Sequence, residues 1–271
     1  MAPDVPTRRR QAIAQHVQDA GTARIEDLAE RFGVSPMTIH RDLDLLAAEG
    51  WLERTRGGAR TASLRQHERN VNLRRRQQTA TKRALARAAM AHLRPGMSLA
   101  LDDSTTVAAL QPHLGALRPL TIITNFLPTI IAGAADPDID LVCLGGQYDR
   151  NLDSFDGPSV TDQLLTLTAD AVVMSAAAVH QGFLLYPTPD AARRKRVFIE
   201  MGELKILLVD STKFAARASY RVAPVALFDL VIVDADTAPE HRDALAAAGV
   251  AVEVVEVLPA DDEPVPPTSP T

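Results

Sequence analysis

The chain has 271 residues, 46% of them hydrophobic, 23% charged and 4% aromatic, with a formal net charge of −5. That is enough for one or two domains, each with its own core. No apolar run is long enough to span a bilayer, and no apolar segment follows the arginines of "MAPDVPTRRRQ", so neither a transmembrane helix nor a signal peptide is expected. The one cysteine, Cys143, excludes an internal disulfide and points to a reducing, cytoplasmic setting; in its apolar stretch it is expected to pack in the core. The charge is uneven. Residues 1–90 hold 17 Lys and Arg against 10 Asp and Glu, a surplus of +7, whereas the remainder holds 12 against 24, or −12. A basic module joined to an acidic body leaves room for a nucleic-acid partner that the whole-chain balance conceals.

In chain order, "TRRRQAIAQHVQDAG" places Ile13 and Val17 on one helical face and stops at Gly21. A short helix "IEDLAERFG" turns Ile25, Leu28, Ala29 and Phe32 inward and closes at Gly33. After a tight turn at Gly33-Val34 comes "SPMTIHRDLDLL", with Ser35 as N-cap and Pro36 at the first helical position. Ile39, Leu43 and Leu46 fall at i, i+4 and i+7 and form its buried stripe, leaving Met37, Thr38, His40, Arg41 and Asp44 on the other faces. Then "WLERTRGGARTA" alternates as a ribbon with a Gly57-Gly58 tip flanked by Arg54, Arg56 and Arg60. Three short helices, a tight turn before the third and a basic ribbon describe a winged helix-turn-helix. The plainer reading, a small helical domain with no ligand, must explain why the exposed faces of the third helix and the wing carry arginine and little acid beyond Asp42 and Asp44.

The run "AERFGVSPMTIHRDLDLLAAEGWLERTRGGA" resembles the DNA-binding part of the DeoR family of bacterial transcription regulators, with its Val-Ser turn, Thr-Ile-Arg-Arg-Asp-Leu helix and Gly-Gly-Ala wing. His40 stands where that pattern has Arg, so the half-site preference of relatives does not transfer. The resemblance implies that Ser35, Pro36, Met37, Thr38, His40 and Arg41 approach double-stranded DNA, while Arg54, Arg56, Gly57, Gly58 and Arg60 form a wing whose arginines reach phosphates.

Residues 63–80 form a polar, strongly charged connector with Arg74, Arg75 and Arg76 in a row, read as solvated rather than as a direct DNA contact; the family pattern joins the two domains through a Glu-Arg pair, here Glu68-Arg69. From residue 81 to 258 short Val/Ile/Leu-rich strands alternate with helices. The helices are expected over 81–93, from about 105, near 128, near 158, over 190–201 and over 239–248; the strands over 97–101, 120–123, 139–144, 169–179, 204–209, 227–234 and 250–257. That alternation predicts a mostly parallel α/β sheet covered on both faces. The tail 259–271, "PADDEPVPPTSPT", reads as disordered.

Polar residues gather where these strands end. Asp102-Asp103-Ser104-Thr105-Thr106, Thr124-Asn125, Gly145-Gly146-Gln147 and Asp210-Ser211-Thr212-Lys213 each follow a strand directly. In open α/β sheets ligands bind outside the carboxyl ends of strands, and free N–H groups at the start of a helix suit an anion, with Lys213 as a compensating charge. Singly, Ser-Thr-Thr reads as an N-cap and Gly-Gly as a turn; four such ends together predict a pocket for a small anion.

This body also resembles the DeoR sensor domain, related in fold to ribose-5-phosphate isomerase and coenzyme A transferases. Its motifs read here "LDDSTT", "TNF", "LGG", "RRKR" and "DSTK", with Ser104, Phe126 and Thr212 as departures. The resemblance implies a phosphorylated sugar as effector, held by Asp102, Ser104, Thr105, Thr106, Thr124, Asn125, Gly145, Gly146, Gln147, Lys195 and Lys213, with His180 and Tyr186 as further candidates. It implies a homo-oligomeric repressor on a pseudo-palindromic operator; no cofactor is expected, and no metal, since the seven histidines show no ligand spacing with each other or with Cys143. The competing expectation is a sugar-phosphate isomerase with an added N-terminal domain, using Asp102, Asp103, Asp170 and Lys213 for proton transfer. The stretch "AVVMSAAAVHQGF" after Asp170 lacks the lysine- and glycine-rich segment that accompanies catalysis in those isomerases.

Overall fold

A computed structural model describes residues 5–62, 68 and 70–257, so the expected tail 259–271 and Arg69 of the expected Glu68-Arg69 pair lie outside the described residues. The chain divides into two compact units, Met1–Arg76 and Gln77–Thr271.

The first unit holds α1 (Val5–Ala20), β1 (Thr22–Arg24), α2 (Ile25–Phe32), α3 (Pro36–Ala48), β2 (Leu52–Thr55), β3 (Gly58–Thr61) and α4 (Val71–Arg76). Gly33 ends α2 in the left-handed region at φ 63°, and its N–H turns back onto the last carbonyls of the helix. Two residues later Ser35 starts α3: its side chain accepts the Thr38 N–H at 3.2 Å, with Pro36 at N1. Ile13, Val17, Leu28, Ile39 and Leu43 are wholly buried and share one core with Leu46, Leu52 and Ala59. The ribbon is part of a three-stranded sheet in the order β1-β3-β2, the short β1 pairing Thr22 with Arg60. Within the expected connector, Val71 and Leu73 of α4 are buried, so this part is not a fully solvated segment.

The second unit is built on seven parallel strands in the order β15-β14-β12-β9-β4-β5-β6. They are β4 (Ser98–Leu101), β5 (Leu120–Thr124), β6 (Ile139–Cys143), β9 (Ala169–Ser175), β12 (Gly202–Val209), β14 (Leu230–Asp234) and β15 (Ala251–Val255). Successive residues of a strand point to opposite faces. Leu99, Leu101, Ile122, Val173 and Ile206 therefore meet α5 (Thr79–Met90) in one core, while Ala100, Ile123, Val172, Met174 and Leu207 face α8 (Pro189–Met201) in the other. Both faces are covered, which is why the central strands read as unbroken apolar runs.

Several expectations need correction. The helix expected from about residue 105 is a 3-10 stretch, Val107–Leu117, since Pro112 removes an N–H and obstructs the preceding turn. The strand expected over 169–179 ends at Ser175, and Ala178–His180 (β10) joins β11 (Phe183–Tyr186) and β13 (Tyr220–Pro224) in a separate antiparallel sheet. Residues 147–156 form a hairpin of β7 (Gln147–Asp149) and β8 (Ser154–Asp156). Cys143 is exposed rather than in the core, because β6 is an edge strand. The short helices α6 (Leu127–Ala134), α7 (Pro158–Leu164), α9 (Thr212–Ala215) and α10 (Pro239–Ala247) complete the unit.

Candidate functional site

The outward face of α3 is where a groove-reading helix would need polar side chains. Ser35, Pro36, His40 and Arg41 are exposed, Thr38 is half-buried with its hydroxyl 3.0 Å from that of Ser35, and Met37 is 64% exposed. Asp42, expected on this face, is buried and takes a 2.7 Å ion pair from Arg9 of α1, so it braces the helix from within. The only acid left on the outward face among the described residues of α3 is Asp44, and Arg54 of β2 lies 3.1 Å from it.

Arg54 is bound to the helix. Its guanidinium also lies 3.0 Å from His40 Nδ1 and donates to the Gly58 carbonyl at 3.4 Å, so the side chain ties wing to helix instead of hanging free for phosphate. Arg60 is exposed but donates to Glu53 at 2.7 Å. Arg56 and Gly57, at the tip, are exposed, and Gly57 sits at φ 86°. Gly58 is not an outward residue: it is buried, and a Cβ there would run into the Ala23 carbonyl of β1.

In the second unit the strand order reverses between β4, which continues to β5 and β6, and β9, which continues to β12, β14 and β15. Ligands of open α/β sheets bind at such a switch point, beyond the carboxyl ends of the strands. Asp102 and Asp103 follow β4 there. Asp102 is wholly buried; its carboxylate accepts the Ser104 N–H at 3.1 Å, the Ser175 N–H at 3.3 Å and the Lys195 ammonium at 2.6 Å. Asp103 accepts from Lys195 with its other neighbours Arg194, at 3.1 Å, and the Ser154 hydroxyl, at 3.2 Å. Arg194 reaches on to Asp156 in the hairpin. Thr188 caps α8 by accepting the Ala191 N–H, and the helix runs directly into β12, which sets Arg194 and Lys195 beside the carboxyl ends of the sheet.

Burial alone would depress the Lys195 ammonium, but Asp102 and Asp103 outweigh it and hold the group above its ordinary value. The same holds for Arg194 between Asp103 and Asp156. The Tyr186 ring lies 5.3 Å from Lys195 Nζ and its hydroxyl donates to the Ser175 carbonyl at 2.9 Å. Lys82 of α5, buried, donates to the Thr105 hydroxyl at 3.0 Å. Arg194 and Lys195 thus stand among three carboxylates (Asp102, Asp103, Asp156), and Lys82 holds Thr105 in the segment that follows Asp103.

The remaining expected residues divide. Ser104 accepts the Val107 N–H at 3.0 Å, capping the 3-10 stretch, and Thr106 is buried beside it. Thr124 accepts the Phe126 N–H, and Phe126 is itself wholly buried. Asn125 donates to the Phe155 carbonyl at 2.8 Å, while its Oδ1 is buried without a partner; Arg194 Nε is in the same condition. Gly145 is clasped by the Gln163 side chain of α7, Gly146 leaves no room for a Cβ against Asp156 and Val160, and Gln147 is exposed in β7 opposite Asp156. These glycines position the hairpin. Beyond β12, Ser211 donates to Asp234 at 2.6 Å and Thr212 to Asp210, one strand further from Asp102 than β9. Lys213 is half-buried in that group, and His180 pairs with Phe183 across the β10–β11 turn. The expected effector set lacked Lys82, Asp103, Arg194, Ser154 and Asp156.

The isomerase arrangement fails on geometry. Asp170 lies near the start of β9, opposite the amino end of β4, where Ser98 donates to it through N–H and hydroxyl at 2.6 and 2.7 Å. Asp102 is at the other end of the same strands, so the two carboxylates cannot serve one substrate.

Residues 9–65 match the DeoR-like helix-turn-helix domain and residues 77–235 the DeoR C terminal sensor domain. Similar proteins include the uncharacterized HTH-type transcriptional regulator YulB of Bacillus subtilis, 30% identical over 91% of this chain and 96% of its own length. The lactose phosphotransferase system repressor of Lactococcus lactis is 29% identical over 87% of this chain and 94% of itself. For the glycerol-3-phosphate regulon repressor of Escherichia coli K12 the figures are 29%, 84% and 91%. The chain belongs to the DeoR family of transcriptional regulators.

Proposed function

We propose that this chain is a cytoplasmic repressor of carbohydrate-metabolism genes, bound as a dimer or larger homo-oligomer to a pseudo-palindromic operator and controlled by a phosphorylated sugar. Relatives named as repressors of a lactose phosphotransferase system and of a glycerol-3-phosphate regulon support the class of gene and effector. Ser35, Pro36, Met37, Thr38, His40 and Arg41 approach the major groove, and Arg56 with Gly57 and Arg60 meets the flanking phosphate. A two-headed protein matches a two-fold operator.

The effector lies at the strand ends among Asp102–Thr106, Thr124-Asn125, Gly145–Gln147, Lys195 and Lys213. One observation carries this reading: Asn125 Oδ1 and Arg194 Nε, an acceptor and a donor, are both buried without partners at a cluster of buried ion pairs. Buried polar atoms left unpaired are costly, and a ligand rich in hydroxyls and phosphate oxygens would satisfy both kinds. The effector must bind one arrangement of the sensor better than the other, and by linkage DNA and effector then shift each other's affinity by one factor.

Fluorescence anisotropy of the full chain on the DNA flanking its own gene, with excess competitor DNA, tests the first half. Retention against competitor supports the repressor; binding no tighter than to competitor rules it out.

A further inference from the structure

Resting on the DNA-binding reading of α3, we propose that His40 determines specificity at one operator position, presenting a single Nε2–H donor to a major-groove base acceptor and so excluding cytosine, with Arg54 fixing its tautomer. Arg54 Nη2 and His40 Nδ1 are 3.0 Å apart. A guanidinium has donors and no acceptor, so Nδ1 must be the accepting nitrogen, and a neutral ring that accepts at Nδ1 carries its proton on Nε2. Arg54 is held in place by Asp44 at 3.1 Å and by the Gly58 carbonyl, so the tautomer is imposed by the wing before any DNA arrives. The groups facing the imidazole are therefore Arg54 and, behind it, Asp44; Arg41 follows it on the exposed face.

The chemistry of the partner follows. Major-groove acceptors are N7 of either purine, O6 of guanine and O4 of thymine, while cytosine presents an amino donor. A lone outward N–H can bond N7 of adenine or guanine or O4 of thymine and is repelled by the cytosine amino group. It cannot make the two-point contact with which an arginine singles out guanine. Position His40 in this chain should thus exclude cytosine rather than single out guanine. Arg54, spent on the imidazole and Asp44, acts on base preference through His40 and not as a phosphate contact.

The test is selection from a randomised duplex pool by the full chain, comparing wild type with His40→Ala, His40→Gln and Arg54→Met. Both positions are at or near the surface, and circular dichroism checks that each variant is folded. Wild type should accept adenine, guanine and thymine at one position of each half-site and disfavour cytosine there about tenfold. His40→Ala should flatten that position alone. His40→Gln should move it to adenine, which a side-chain amide can grip at N6 and N7. Arg54→Met frees the tautomer, so cytosine should become tolerated while the salt dependence of binding stays unchanged. Unchanged base preference in His40→Ala overturns the proposal. So does an Arg54→Met chain that loses affinity on all sequences with a salt slope reduced by about one, because that is the mark of a phosphate contact. A wild-type chain that selects no sequence overturns the DNA-binding reading itself, and this proposal with it.

Discussion

Lys195 Nζ lies 2.6 Å from Asp102 Oδ2, with the lysine side chain 2% and the aspartate 0% exposed. A pair so deeply buried is sustained by its partners, since either charge left alone would carry its full desolvation cost. Replacing Lys195 with Met leaves Asp102 and Asp103 facing each other without their shared cation. The expected loss is about 3–5 kcal/mol in denaturant unfolding. Adding Asp102→Asn to that variant should recover part of the loss, whereas additive destabilisation would mean that the two side chains do not act as a pair.

Gly58 predicts a purely steric effect. A methyl group there meets the Ala23 carbonyl, and backbone cannot swing aside as a long side chain can. Gly58→Ala should lower stability by about 1–3 kcal/mol. Because no charge changes, the salt dependence of DNA binding should match wild type wherever the variant is folded.

Arg56 predicts the converse. It is exposed at the wing tip, and none of the described ion pairs involves it. Arg56→Ala should leave the melting temperature within a degree or two of wild type and weaken binding on every sequence alike. The slope of log K against log salt should fall by about 0.9 for the one lost phosphate contact.

Acid should reveal Asp170. The Ser98 N–H, and then the Ser98 hydroxyl, hold its carboxyl below the ordinary value. A carboxyl depressed in the folded state adds stability that is fully present above its unfolded value, about 3.9, and is lost as pH falls through the folded value. Its exposure keeps the contribution small. Asp170→Asn should therefore be less stable than wild type at neutral pH, with the difference shrinking below about pH 4. A difference independent of pH would place the effect in packing.

The sequence made α3 legible because three local signals agree there: Gly33 to stop the previous helix, Ser35 to cap and Pro36 to start. The parallel sheet was legible through its unbroken apolar runs. Strands of three or four residues, such as β1, β7 and β10, escaped because alternation needs more residues than they have. Asp42 looked like a surface acid because its partner Arg9 lies 33 positions away in sequence. The missing members of the charge cluster did leave a trace. Lys82 stands in the stripe of Leu85, Ala86 and Ala89, and Arg194 in that of Phe198 and Met201, so each occupies an inward helical position that a solvated charge would avoid. Which strands flank β4 was not written locally, and with it went the location of the switch point.

The most direct test of the regulatory claim is anisotropy of the chain bound to its own flanking DNA at fixed salt, titrated with sugar phosphates and with the same sugars lacking phosphate. One phosphorylated sugar should shift the DNA affinity about tenfold, within the usual span of allosteric coupling, and its unphosphorylated form should not. Tight, specific DNA binding that no phosphorylated sugar changes would contradict the account.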